Sequence, residues 1–197
     1  MHMRQSDREH TGPLTYGMVG GGPGALIGEV HRCALRITDT ARLVSGNFSR
    51  NSGKNRSFGA SLGLDEHRIY DSFDEMAQRE SSRPDPIDFV VVVTPNASHY
   101  AACKAFLSCG IDVVCDKPLT FSYHEAKDLA ELAERKDLLF GVTYTYSGYA
   151  AVKQIAHLIR SGEIGTIRFV HAEYIQQWLA TKSETEGNRQ AEWGTDP

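Results

Sequence analysis

No apolar run in this sequence comes close to the roughly 18–20 residues that a membrane-spanning helix needs, so a transmembrane anchor is not expected. Positive charge is not in excess either: 21 Lys and Arg stand against 25 Asp and Glu, a net charge of −4. A nucleic-acid surface would call for clustered Lys and Arg, so a nucleic-acid partner is not expected. The four cysteines, Cys33, Cys103, Cys109 and Cys115, show no Cys-x-x-Cys spacing, and three of them fall in predicted helix or strand. That usage reads as a reduced, cytoplasmic chain with no metal site. Residues 1–12 are polar and lack the apolar core of a signal peptide. Neither an internal repeat nor a low-complexity segment is present. What remains, 41% apolar and 23% charged residues, suits an ordinary water-soluble domain.

Short apolar runs alternate with longer amphipathic ones. Residues 14–19, 41–48, 87–94, 111–115 and 138–144 read as strands. Residues 26–37, 74–80, 98–108, 122–136 and 152–160 read as helices. The run Phe89-Val90-Val91-Val92-Val93 is continuous and β-branched, the pattern of a strand buried on both faces of a parallel sheet. The helix over 122–136 carries Ala126, Leu129, Ala130 and Ala133 on one stripe. Asp71 or Ser72 is the candidate N-cap of the helix at 74–80, and Gly110 suits a left-handed cap after 98–108. Residues 49–63 are polar and contain glycine, and read as a connection. Strands alternating with helices imply an α/β fold, doubly wound around a mostly parallel sheet. Right-handed crossovers then bring Gly20, Thr94 and Asp116 to one edge.

Three clusters could carry chemistry at that edge. Gly20-x-Gly22-x-x-Ala25, with Pro23 and Gly24 inside the turn, fits a dinucleotide fingerprint between a strand and a helix. Gly28 is a candidate third glycine. The other reading is a glycine-rich turn without a ligand. After the second strand comes Asn47-Phe48-Ser49-Arg50-Asn51, with no carboxylate until Asp65. Ser49 and Arg50, assisted by Lys54 or Arg56, could hold a 2′-phosphate, which leans toward NADP over NAD; a solvated basic loop is the alternative. Thr94-Pro95-Asn96-Ala97-Ser98-His99 closes the buried strand. Asn96 either caps the next helix or lies with Thr94 and Pro95 along the cofactor, with His99 nearby. Lys117 in Cys115-Asp116-Lys117-Pro118 could bridge ribose and substrate hydroxyls with its three donors and stabilise developing alkoxide charge; a surface Asp-Lys pair at a turn is the other reading of the triplet. Asp116 could orient that ammonium or accept from a ribose. The Lys117–Pro118 bond is a candidate for the cis form.

Taken in this order, the glycine turn, Thr-Pro-Asn-x-x-His, Asp-Lys-Pro and Ser161-Gly162-Glu163-Ile164-Gly165 resemble the Gfo/Idh/MocA oxidoreductases over residues 14–180. The resemblance implies a Rossmann domain followed by a larger α/β domain that carries substrate contacts and often an oligomer interface. Lys117 then matches the lysine of the family's Glu-Lys-Pro motif, with Asp116 in place of the glutamate. Tyr144 stands where a substrate-side polar group sits. The family's Asp-x-x-x-His helix has no counterpart, since neither His157 nor His171 has an Asp four residues before it.

The expected organisation is therefore an N-terminal tail over 1–13, a dinucleotide-binding Rossmann domain over 14–149, and the start of a truncated substrate domain over 150–197. The expected function is NAD(P) binding for hydride transfer to or from a sugar, polyol or related hydroxyl or carbonyl compound. A non-catalytic NAD(P)-sensing or partner-binding module is the alternative. The strand expected at 167–175 would pair with a second copy or stay mobile, which allows a homo-oligomer.

Overall fold

The computed structural model describes residues 12–175. By backbone contacts the chain divides into two units, Met1–Thr145 and Tyr146–Pro197.

In the first unit, β1 (Leu14–Gly20) leads into α1 (Leu26–Thr38), and β2 (Ala41–Asn47) into α2 (Ser52–Ser61) and α3 (Phe73–Ser81). There follow β3 (Phe89–Val93), α4 (His99–Ser108), β4 (Asp112–Cys115), α5 (Tyr123–Lys136) and β5 (Phe140–Val142). All five strands are parallel, in the order β2-β1-β3-β4-β5. The chain winds outward from β1 to β2, then returns to β3 and winds the other way, so the switch point lies between β1 and β3.

The apolar run of β3 explains the layering. Val90 and Val92 pack into a core with Phe106, Leu107, Val113 and Leu129. Val91 and Val93 pack into a second core with Tyr16, Met18 and Phe48, against which Ile27, Leu35 and Phe58 lie. A period-two side-chain alternation thus places consecutive valines on opposite faces, each face covered by helices. Full burial of one such side chain is worth about 1.5–3 kcal/mol.

Helix ends follow local chemistry. Ser72 caps α3 and Ser122 caps α5, each accepting a bond from the backbone N–H three residues on, Glu75 and Glu125. Asp137 takes the left-handed conformation that ends α5, and Gly110 follows α4 with φ of +81°. On α5 the buried residues are Leu129 and Ala133, while Ala130, expected on the apolar stripe, is exposed.

Residues 49–63, expected as a polar connection, contain α2. Its serines and glycines carry poor helix propensity, and its apolar pattern is weak. Tertiary bonds supply what the sequence pattern does not. Asn51 caps the helix by accepting from the Lys54 N–H at 2.9 Å. Buried Asn55 accepts from the Phe48 N–H at 2.7 Å and donates to the Tyr70 carbonyl at 2.7 Å. Below it, Arg68 donates to Glu80 (Nε to Oε1, 3.1 Å) and Tyr70 donates to the same carboxylate at 2.9 Å. Glu80 is fully buried, and burial together with this carboxylate pushes the Tyr70 phenol up to about 12.

In the second unit, α6 (Ala150–Ser161) ends at Gly162, which has φ of +79°. Residues 167–175, expected as a strand, form none. A strand needs a neighbouring strand for its N–H and C=O ladder, and none of the described strands is paired with this segment, whose Tyr174 meets Tyr146 through its hydroxyl and ring instead. The remainder of the expected substrate-domain start, residues 176–197, lies outside the described residues, as does most of the expected tail.

Candidate cofactor site

Parallel register lines up the strand ends. Val19 is opposite Asn47, Gly20 opposite Val93, Val92 opposite Cys115, and Cys115 opposite Val142. The segments that follow these residues, 48–51, 21–25, 94–99, 116–118 and 143–144, therefore leave the same edge of the sheet. Gly20, Thr94 and Asp116 meet there as expected, across the switch point where α/β sheets bind ligands.

The glycine turn is compact for two steric reasons. A Cβ on Gly28 would stand 2.4 Å from the Gly21 Cα, so α1 packs directly on the turn. A Cβ on Gly22 would stand 2.4 Å from the Phe48 carbonyl oxygen, so the turn also touches the end of β2. The absence of a side chain at Gly28, the candidate third glycine, is what permits this approach. The N-cap residue of α1 is Ala25, which provides no side-chain cap. The first N–H groups of the helix are left for another acceptor, and with the helix dipole they favour an anion. Arg32, which sequence reasoning missed, braces the turn. Its guanidinium donates to the Gly21 carbonyl at 2.9 Å, pairs with Glu29 at 2.8 Å and lies 5.3 Å from the Phe58 ring centroid. Arg32 also holds the Glu29 carboxyl below its usual range.

Beyond β2, Ser49 is half-buried and its hydroxyl accepts from the Asn51 N–H at 3.2 Å. Arg50 and Lys54 are exposed, and neither forms an ion pair with another described residue. Arg56, expected to assist them, is paired with Asp71 at 3.1 Å instead. A cavity of 310 Å³ joins Pro23 of the turn to Gly53, Lys54, Ser57, Phe58 and Ser61 of α2.

Across the switch point, Thr94 follows β3 with a buried hydroxyl that has no hydrogen-bond partner among the described residues. Pro95 is exposed and Asn96 half-buried at the start of a short 3-10 turn, Asn96–Ser98. Asn96 does not cap α4: the capping position falls to Ser98, which makes no side-chain bond there either. His99 is buried, and its ring nitrogens lie 2.8 Å from the Pro118 carbonyl and 2.9 Å from the Thr94 carbonyl.

The Lys117–Pro118 bond is cis. Lys117 is exposed and pairs with no described residue. Asp116 does not orient it: the carboxylate accepts from the Thr143 hydroxyl at 2.8 Å, and the Asp116 N–H donates to the Val92 carbonyl at 2.9 Å. On α1, burial lowers the His31 pKa, an effect that the Asp116 carboxylate opposes. Tyr144 is 60% exposed just past β5. Neither Thr143 nor His31 was marked by the sequence, since a hydroxyl or imidazole acquires such meaning only from its neighbours.

Residues 14–144 match the model of an oxidoreductase family described as having an NAD-binding Rossmann fold, the Gfo/Idh/MocA family. The chain belongs to this family. It is 37% identical over 196 residues to the uncharacterized oxidoreductase YfiI of Bacillus subtilis, covering 99% of this chain and 50% of that one. An inositol dehydrogenase homologue from Azotobacter vinelandii, solved with NAD+, superposes with a TM-score of 0.88 at 37% identity, covering 96% of this chain and 49% of that one. The same homologue, solved with NADH and myo-inositol, matches at a TM-score of 0.76 and 40% identity over 80% of this chain and 42% of that one. An oxidoreductase from Sinorhizobium meliloti matches at a TM-score of 0.75 and 47% identity, covering 79% and 43%. The chain spans about half the length of these relatives.

The family's cofactor fits the residues present. The uncapped start of α1 offers donors to a pyrophosphate, the unpartnered Thr94 hydroxyl lies at the switch point, and the unpaired Lys117 ammonium leaves the same edge. Among the described residues no helix is long and apolar enough to cross a membrane.

Proposed function

We propose that this Gfo/Idh/MocA chain binds the nicotinamide dinucleotide of an enzyme that moves hydride between that cofactor and a hydroxyl or carbonyl of a sugar or polyol. The convergence of the glycine turn, Thr94 and Lys117 on one sheet edge carries this reading. Gly20, Gly22, Pro23, Gly24 and Ala25 form the cradle for the pyrophosphate. Thr94, Pro95 and Asn96 run beside the nicotinamide half, and the free carboxylate oxygen of Asp116 accepts from its ribose.

The bound cofactor supplies the hydride acceptor or donor. Lys117 supplies the electrostatics: its ammonium donates to the reacting oxygen and stabilises the alkoxide charge there, which is present once the hydroxyl has lost its proton and before hydride leaves, and which builds as hydride arrives in the reduction direction. Tyr144 takes the substrate side. The inositol-bound Azotobacter homologue supports a polyhydroxylated substrate, whose several hydroxyls a multi-donor lysine can hold in place.

For the cofactor itself, Ser49, Arg50 and Lys54 favour a 2′-phosphate. No carboxylate stands at the end of β2 to accept from a ribose 2′-hydroxyl, and two unpaired cations stand within seven residues of its last residue. Parallel titration of the chain with NADPH and NADH tests both parts. Tighter NADPH binding that Arg50→Ala removes supports the phosphate assignment. A preference for NADH overturns that assignment and keeps the cofactor reading, whereas binding of neither overturns both.

A further inference from the structure

The imidazole of His99 lies between two carbonyl oxygens. Nδ1 is 2.8 Å from the Pro118 oxygen and Nε2 is 2.9 Å from the Thr94 oxygen. A carbonyl oxygen only accepts, so each nitrogen must carry a proton for both contacts to be hydrogen bonds. A neutral ring would set one nitrogen lone pair against an oxygen at contact distance, inside the protein, where such a mismatch is most costly.

We propose that His99 is a positioning residue, held as the imidazolium, that ties the Lys117–Pro118 turn to the end of β3 and so fixes where the Lys117 ammonium stands. The role assigned to that ammonium rests on the function proposed above; the clamp itself does not. Through one rigid ring, α4 connects the segments that follow β3 and β4, both on one side of the switch point. The surroundings favour the charged ring. Burial works against it, while the Cys115 sulfur and the two carbonyls work the other way and hold the His99 pKa above its ordinary value.

Groups on the neighbouring elements are engaged elsewhere. Cys115 of β4 is kept as the thiol, its pKa raised by the adjacent Cys103 of α4 and by burial against the opposing pull of His99. Asp116 is held by Thr143, Asp128 of α5 by Tyr100 and Lys104, and Glu80 of α3 by Arg68 and Tyr70. The two carbonyls and the Cys115 sulfur are therefore the groups that face the ring.

Nitrogen-15 NMR of the ring in the whole chain tests the protonation state, with His99→Gln used to assign the signals. At about pH 7.5 an ordinary histidine, of pKa near 6.5, is neutral. The expected result is two protonated ring nitrogens at that pH, and a single protonated nitrogen overturns the proposal. Amide exchange tests the positioning. In His99→Gln, the amides of Lys117, Leu119 and Thr120 should exchange roughly tenfold faster, as expected for loss of a charged hydrogen bond, with β1 amides unchanged. Raising the pH of the wild type through about 9 should produce the same excess over β1 amides, and the variant should lack that step. No local change at those three amides overturns the clamp. If His99→Gln does not fold, the wild-type ring signals and pH profile still decide. Failure of the wild type to bind either dinucleotide would sink the cofactor reading alone, because neither NMR measurement involves a cofactor.

Discussion

The Thr143 hydroxyl donates to the Asp116 carboxylate at 2.8 Å, so the residue beside Lys117 is held from the neighbouring strand end and not by the lysine. The ammonium is thereby left unpaired at the sheet edge. Replacing Thr143 by Val removes a hydrogen bond to a charged acceptor, with an expected stability loss of about 1–2 kcal/mol. It also frees Asp116 to pair with Lys117, so dinucleotide affinity should fall several-fold. Urea unfolding and NADPH and NADH titration of the variant check both effects; unchanged affinity would show that Asp116 placement is immaterial to the site.

Lys117→Met separates site from scaffold. The side chain is exposed and pairs with no described residue, so stability should change by less than about 0.5 kcal/mol. Hydride transfer by a full-length protein carrying the change should drop by two or more orders of magnitude, roughly the worth of one electrostatic contact to a developing oxyanion. Thermal melting and a steady-state assay read the two quantities independently.

Gly28→Ala places a methyl group 2.4 Å from the Gly21 Cα, where only backbone can yield. The expected cost is about 1–3 kcal/mol for overpacking. Because the displaced atoms belong to the glycine turn, dinucleotide binding should weaken along with the melting temperature. A variant that melts lower but binds equally well would place the pyrophosphate elsewhere.

Glu80→Ala removes the carboxylate that Arg68 and Tyr70 share and leaves a guanidinium nearly buried and unpaired on that side. About 3–5 kcal/mol should be lost, a large part of the stability of a domain this size. Tyr70 should at the same time titrate below its present value of about 12, because the charge that opposes its ionisation is gone. Denaturant unfolding and ultraviolet titration of the phenol measure these.

The pH dependence of stability follows from His99. Its pKa rises on folding from 6.5 to about 9, so the folded chain binds the proton more tightly. That contribution is fully present below pH 6.5 and is lost as pH rises through the higher folded-state value. Unfolding free energy should decline across this window in the wild type and stay flatter in His99→Gln. An identical decline in both would assign the loss to other groups.

Residue order and spacing alone determined the alternating architecture, the glycine turn, the cis candidate at Lys117–Pro118 and the set of segments at the sheet edge, because periodicity and backbone sterics are local properties. The valines of β3 announced a strand buried on both faces without any help from tertiary contacts. Other features depended on groups far apart in the chain. Helix α2 has little pattern of its own and is held by Asn55 reaching both Phe48 and Tyr70. The segment at 167–175 has the composition of a strand, yet no described neighbour completes its ladder, so it forms none. Arg32 on the Gly21 carbonyl, Thr143 on Asp116 and His99 between Thr94 and Pro118 are common residues whose roles come entirely from what folding sets within 3 Å of them. Hydrogen-bond partners and buried charge are properties of the assembled sheet edge, and only the tertiary structure decided them.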